Sequence, residues 1–269
     1  MFEVFTSADA WVALLTLTFL EIVLGIDNIV FISIAANKLP KEQQKKATNI
    51  GLLLAMAQRI ILLFAVSFLV GLKNPFYYID NSWLHIGISG QGLILFTGGL
   101  FLIYKSTSEI HEKLEIPDYD EDEIRSKNIT TLPKAIVQII IIDFIFSIDS
   151  ILTAVGMTNG ISDNPNHSLI LMITAVVISI IVMMLFANPV REFINKHPSV
   201  QLLGLAFLIL IGFMLIAESA HLSHARIFEQ EVGAVPKGYL YFAIAFSLLV
   251  EFLNMRFKKK TNLHKNQNS

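Results

Sequence analysis

The chain has 269 residues, 54% hydrophobic and 16% charged, with a mean hydropathy of +0.62 and a formal net charge of −2. Soluble domains average about 45–50% apolar and about 25% charged residues, so an ordinary water-soluble globule is excluded, and no basic excess suggests nucleic-acid binding. There is no cysteine, which excludes disulfides, thiolate metal sites and thiol nucleophiles.

Apolar windows of about 18 or more residues recur, the signature of transmembrane helices. The expected fold is all-α: a single polytopic membrane domain of seven spans embedded in the lipid bilayer. The first ten residues, M-F-E-V-F-T-S-A-D-A, lack a basic region, so no cleaved signal peptide is expected. Span one covers about 9–36 and span two about 49–71, with Arg59 near its middle. Span three, glycine-rich, covers about 86–104. A polar segment at about 105–132 carries the acidic run P-D-Y-D-E-D-E and reads as a solvated loop. Span four covers about 133–158. Span five, about 168–187, is expected to end at Asn188-Pro189, because the residue before proline disfavours helix. Spans six and seven cover about 200–217 and about 238–257, and a lysine-rich tail, 258–269, reads as an anchor to anionic lipid.

Spans alternate sides, so the connecting segments form two sets. Sixteen of the 20 Lys and Arg fall after spans one, three and five or in the tail, and only Lys73, Arg226 and Lys237 fall in the other set. By the positive-inside rule the N-terminus is expected outside and the tail in the cytoplasm.

Within span one, Leu20 to Ile34 reads L-E-I-V-L-G-I-D-N-I-V-F-I-S-I. A carboxylate at bilayer depth costs roughly 2.5–3.5 kcal/mol on insertion scales, so it needs a partner or a function. The pattern returns in span four as I-D-F-I-F-S-I-D-S-I-L-T-A from Ile142. Asp143 aligns with Glu21, Ser147 with Gly25, Asp149 with Asp27 and Ser150 with Asn28. In span three, G-L-F-L-I-Y-K-S from Gly99 resembles G-F-M-L-I-A-E-S from Gly212 in span six. Spans one to three (about 9–104) are thus expected to repeat as spans four to six (about 133–217). Three spans is an odd number, so the second copy is inverted, the plan of many secondary transporters. Counting 1.5 Å per residue from the span ends sets Glu21 level with Asp149 and Asp27 level with Asp143. A break in the helices is plausible at Gly25 and Ser147.

Oxygen ligands without sulfur or buried imidazole suit hard cations such as Mn²⁺, Mg²⁺ or Ca²⁺. The candidate metal ligands are Glu21, Asp27, Asn28, Asp143, Asp149 and Ser150. Arg59 reads as a gate or charge partner, since guanidinium repels cations. Glu218, His221 and His224 form a weaker candidate for an outer metal site. Two buried aspartates also raise an intramembrane aspartyl protease, but its G-x-G-D pattern is missing at Gly25-Ile26-Asp27, and no enzymatic activity is expected.

With L-G-I-D-N-I-V-F at Leu24–Phe31 and F-S-I-D-S-I at Phe146–Ile151 in view, the chain resembles the TerC family of integral membrane proteins. That family is named for tellurite resistance and is placed in the lysine-exporter-like superfamily. The resemblance covers nearly the whole chain and implies a bacterial inner-membrane protein. Several members are manganese exporters, which makes Mn²⁺ the implied substrate, with protons the natural counter-ion; no permanently bound cofactor is expected. By motif match the family's acidic residues fall on Glu21, Asp27, Asp143 and Asp149. No soluble domain fused after span seven is expected. The alternative is a non-transporting scaffold in a metal-stress complex, and partners remain open between a homo-oligomer and other membrane proteins.

Overall fold

The computed structural model describes residues 5, 7–81, 83–114, 131–158, 165–228 and 230–267. The side chains of Leu24, Ile26, Asp27, Asn28, Ser67, Pro165 and 258–267 lie outside the described set. The architecture is all-α with one small sheet: α1 (Ala8–Asn37), α2 (Lys41–Phe64), α3 (Val66–Gly71), β1 (Pro75–Asn81), β2 (Leu84–Ser89), α4 (Gly90–Leu114), α5 (Leu132–Thr158), α6 (Pro165–Lys196), α7 (Pro198–Leu222), β3 (Arg226–Ile227), β4 (Gln230–Glu231) and α8 (Lys237–Gln267). Among the described residues, six helices are long and apolar enough to cross a membrane: α2, α4, α5, α6, α7 and α8. α1, with 30 residues, is longer than the about 20 that a bilayer core requires.

Local chemistry sets several helix ends. The Ser7 hydroxyl caps α1 by accepting from the Ala10 N–H at 3.2 Å, satisfying one of the orphan donors of the first turn. The Ser89 hydroxyl does the same for α4, accepting from Gly92 at 3.0 Å. Pro198 opens α7 at its first position, where the missing N–H is harmless.

Several expected boundaries are corrected: α4 begins at Gly90 and continues to Leu114, into the segment expected as a solvated loop from 105, and α8 continues to Gln267, into the expected tail. α6 runs through Pro189 to Lys196 instead of ending at Asn188. Membrane helices tolerate an internal proline because neighbouring groups re-satisfy the freed carbonyl. The segment between spans two and three, for which the span count implies no regular structure, is a β-hairpin in a four-stranded antiparallel sheet ordered β1-β2-β3-β4. Arg226 and Ile227, just past α7, add to the β2 edge opposite His85 and Leu84, and the Gly87 N–H donates to the Ser223 carbonyl at 2.8 Å. The sheet therefore ties the start of α4 to the end of α7.

Three helix pairings dominate. α1 lies on α6, α2 on α5, and α4 on α7. The first two pairs run parallel: Gly25 meets Met183 and Asn37 meets Asn195, while Gly51 meets Ile139 and Arg59 meets Asp143. α4 and α7 run antiparallel, since the Ser219 hydroxyl donates to the Gly92 carbonyl at 2.6 Å and Lys113 bonds Gln201 at the far end. Their crossing is reciprocal. A Cβ on Gly99 would sit 2.5 Å from the Gly212 carbonyl oxygen, and one on Gly212 would sit 2.8 Å from that of Gly99. Small residues permit this approach of two backbones, which supplies the van der Waals contact that drives helix association where lipid is as apolar as the core. α8 packs on α7 and leaves Tyr239, Phe242, Phe246, Leu249, Phe252 and Phe257 exposed, a face suited to lipid tails.

Candidate functional site

The site is built where α1, α2 and α5 meet, and its organising residue is Arg59. Its side chain is fully buried in the C-terminal half of α2, where an unpaired charge would be prohibitive, so it must be matched by acids. Both come from the repeated motifs. Arg59 Nη2 donates to Asp143 Oδ1 at 2.6 Å, and Nε lies 3.2 Å from each Asp143 oxygen. Nη1 donates to Glu21 Oε2. Glu21 and Asp143 are themselves buried. One guanidinium thus bridges the equivalent acids of the two motifs.

The expected depth matching concerned backbone levels, Glu21 with Asp149 and Asp27 with Asp143; the side chains that meet are those of Glu21 and Asp143. Helix rise does not determine this, because five N–H donors in a rigid fork can serve two carboxylates at once. Sharing one cation offsets the desolvation of both acids.

The helix breaks expected at Gly25 and Ser147 are also absent: α1 and α5 are continuous through them. Gly25 instead provides room for α6, since a Cβ there would lie 2.2 Å from Met183 Sδ. Ser147, fully buried, donates to the Asp143 carbonyl at 2.6 Å and lies 3.1 Å from Asp143 Oδ2. It holds the carboxylate's orientation without interrupting the helix.

Asp149 is six positions from Asp143, a spacing that does not share a helical face, and it finds a different partner. Lys237 Nζ donates to Asp149 Oδ2 at 2.5 Å and lies 3.4 Å from Thr153 Oγ1. Asp149, Ser150 and Arg59 border one cavity of about 60 Å³, together with Glu218, Lys237 and Tyr241. About 10–15 Å³ of such space holds one water, so the cavity accommodates several waters or a partly hydrated ion. At full ionisation the described set carries four carboxylates (Glu21, Asp143, Asp149, Glu218) against two cations (Arg59, Lys237), an excess of two negative charges.

Asp27 and Asn28 lie on α1, but their side chains are outside the described residues. Among the described residues no group of three or more His, Asp or Glu side chains is close enough to hold a metal. Neither the motif acids Glu21, Asp143 and Asp149 nor the outer set of Glu218, His221 and His224 is therefore assembled into a three-acid or acid-histidine ligand cluster among the described residues. Glu218 borders the Asp149 cavity, while His224 borders a separate cavity with Asp80, His85 and Glu231. The reason is local: α7 ends at Leu222, and His224 takes a left-handed φ of 47°, which turns it off the helical face of Glu218 and His221.

Two features escaped the sequence reading. Lys237 registers there only as a basic residue in a connecting segment. At the opposite end of the bundle, Lys38 bridges α1 to α4, reaching Glu109 at 2.8 Å and Glu112 at 3.0 Å, while Lys105 reaches Glu109 at 2.7 Å. Burial works against the Lys38 charge, but hydrogen bonding and attraction to Glu109 and Glu112 outweigh it and hold its pKa above the usual lysine value. The signal for such latches is a charge at a span edge, which spacing alone does not pair.

The model of the "Integral membrane protein TerC family" matches residues 6–266. The chain belongs to the TerC family. Among TerC relatives, it is 44% identical over 263 residues to the UPF0053 inner membrane protein YgdQ of Escherichia coli, covering 98% of this chain and 100% of that protein. It is 42% identical over 259 residues to a UPF0053 protein of Haemophilus influenzae, covering 96% and 99%. A longer E. coli relative, UPF0053 inner membrane protein YoaE, is 41% identical over 252 residues, covering 94% of this chain and 44% of that protein. No solved structure matches. The TerC assignment read from the motifs at Leu24–Phe31 and Phe146–Ile151 is borne out, and with several membrane-crossing helices the chain is a polytopic membrane protein.

Proposed function

We propose that this TerC chain is a membrane transporter that exports a divalent cation, Mn²⁺ favoured, in exchange for protons. The observation that carries the reading is the Arg59 bridge between Glu21 and Asp143, beside a cavity that holds Asp149. Equivalent acids from two motif copies converge on one buried cation, and the described polar set retains an excess of two negative charges. A divalent ion is the complement of that excess. Arg59 acts as a resident counter-ion that keeps the acids compatible with the membrane while no substrate is present. A cation entering from the cavity side would meet Asp149, Ser150 and Glu218 first, then compete with Arg59 for Glu21 and Asp143, with Asp27 and Asn28 as further oxygen donors. Carboxylates freed of a cation accept protons, which is the physical basis for exchange.

The reciprocal contact of Gly99 with Gly212 and the two parallel pairings, α1 on α6 and α2 on α5, support reading the chain as an inverted three-plus-three repeat with α8 added, seven spans in all. The distribution of Lys and Arg supports an outside N-terminus and a cytoplasmic tail. The Mn²⁺ preference and the outward direction rest on resemblance to the manganese exporters of the family.

The test is uptake into proteoliposomes containing only this chain, with Mn²⁺, Mg²⁺, Ca²⁺ and Zn²⁺ compared in the presence and absence of an imposed pH gradient. Mn²⁺ movement that the gradient accelerates, and that Asp143→Asn and Asp149→Asn abolish, is expected. Movement unaffected by both amides, or no movement of any cation, would refute it, and the latter outcome favours a scaffold role.

A further inference from the structure

The two cations that border the Asp149 cavity are held very differently. Arg59 is 2% exposed and Asp143 7%, a clamped pair. Lys237 is 36% exposed and Asp149 20%. The arginine is fixed by two acids at the inner wall, whereas the lysine holds a single acid and stands partly in solvent. Lys237 is also the first residue of α8, directly after Pro236, and the five residues 232–236 before it form no helix or strand. Its ammonium is a compact charge on a flexible four-carbon stem, free to leave and return, where a guanidinium fork locks its geometry.

We infer, resting on the transport reading above, that Lys237 is a tethered competitor for the substrate: its ammonium occupies the Asp149 carboxylate until a divalent cation displaces it, and it returns as the ion departs. Two consequences follow from charge alone. A monovalent ion gains nothing at Asp149 over the ammonium it would replace, and it must also shed water, so Lys237 sets discrimination for divalent over monovalent cations. A divalent ion has twice the attraction to the carboxylate and can displace the ammonium, but with an affinity lowered by the competition, which favours release. Lys237 is therefore a positioning and specificity residue. The repeat alone does not provide it, because α8 lies outside both copies.

The experiment compares wild-type protein with Lys237→Gln, Lys237→Met and Lys237→Arg in proteoliposomes, measuring initial Mn²⁺ uptake against Mn²⁺ concentration, with and without excess Na⁺. Removing the charge should lower the half-saturating Mn²⁺ concentration about tenfold and make Na⁺ an inhibitor. Lys237→Arg should retain resistance to Na⁺ but raise the half-saturating Mn²⁺ concentration severalfold, because a guanidinium fork on the Asp149 carboxylate is harder to displace than an ammonium. Lys237→Met preserves the aliphatic stem, so misfolding of the glutamine variant leaves the comparison intact. Unchanged or weaker half-saturation in the uncharged variants, with wild-type transport present, overturns the inference; a purely structural ion pair predicts that result together with a lowered Tm. If wild type moves no divalent cation, the transport reading fails by itself. Mn²⁺-dependent shifts of Tm in detergent then decide the competition: a larger shift for Lys237→Met than for wild type supports it, and equal shifts refute it.

Discussion

Replacing Arg59 by methionine isolates the electrostatic core of the site, because the substitution keeps an unbranched stem while deleting the guanidinium donors that serve Glu21 and Asp143. Both acids would then lie buried without the guanidinium they share. Removing one partner of a buried ion pair costs about 3–5 kcal/mol, and here one deletion strands two carboxylates, so the upper part of that range is expected. At about 2–4 °C per kcal/mol for chains of this size, the Tm in detergent should fall by roughly 8–20 °C. The decisive comparison is the triple variant Glu21→Gln/Arg59→Met/Asp143→Asn. It removes the stranded charges along with the arginine and should recover most of the lost stability, although it abolishes transport. Such recovery is non-additive coupling of the kind a shared network produces. If Arg59→Met costs less than about 1 kcal/mol, the typical limit of an exposed pair, or if the triple variant is no more stable than the single one, the three-residue bridge does not exist as described.

Other expectations concern packing and the latch. Gly99→Ala should lower Tm by the equivalent of about 1–3 kcal/mol of overpacking, because its Cβ would meet the Gly212 carbonyl at 2.5 Å; Gly156→Ala, with nothing within 4 Å of its Cβ, should be neutral or slightly stabilising, and equal effects at both sites would refute the close crossing. Gly25→Ala should slow transport by pushing Met183, and Met183→Ala in the same chain should restore it, since the obstacle is a side chain. Lys38→Met should cost about 1 kcal/mol, Glu109 retaining Lys105 as a partner. Because the Lys38 pKa is raised, the latch's contribution is fully present below about pH 10.5 and is lost as pH climbs beyond it; a Tm difference between Lys38→Met and wild type that stays constant through that region contradicts the assignment.

Much of this protein is legible in its amino-acid sequence. Long apolar windows give membrane helices because an unpaired backbone is intolerable in lipid, and acids in such windows mark themselves as functional by their insertion cost. The duplicated motif brought Glu21 and Asp143 into equivalence, and Arg59 stood out as a cation in mid-span. Rotation and reach were not legible. In a soluble protein an apolar stripe says which face of a helix points inward, but in lipid every face is apolar, so periodicity does not orient Glu21 or Asp149. Tertiary structure alone decided that Arg59 spans both motif copies and that Lys237 lies on Asp149. It also carried α6 past Pro189 and left α1 unbroken at Gly25, where Met183 fills the space. Local composition specifies which residues must be matched inside a membrane. Which partner each one takes depends on long side chains crossing between helices far apart in sequence, and only packing brings those helices together.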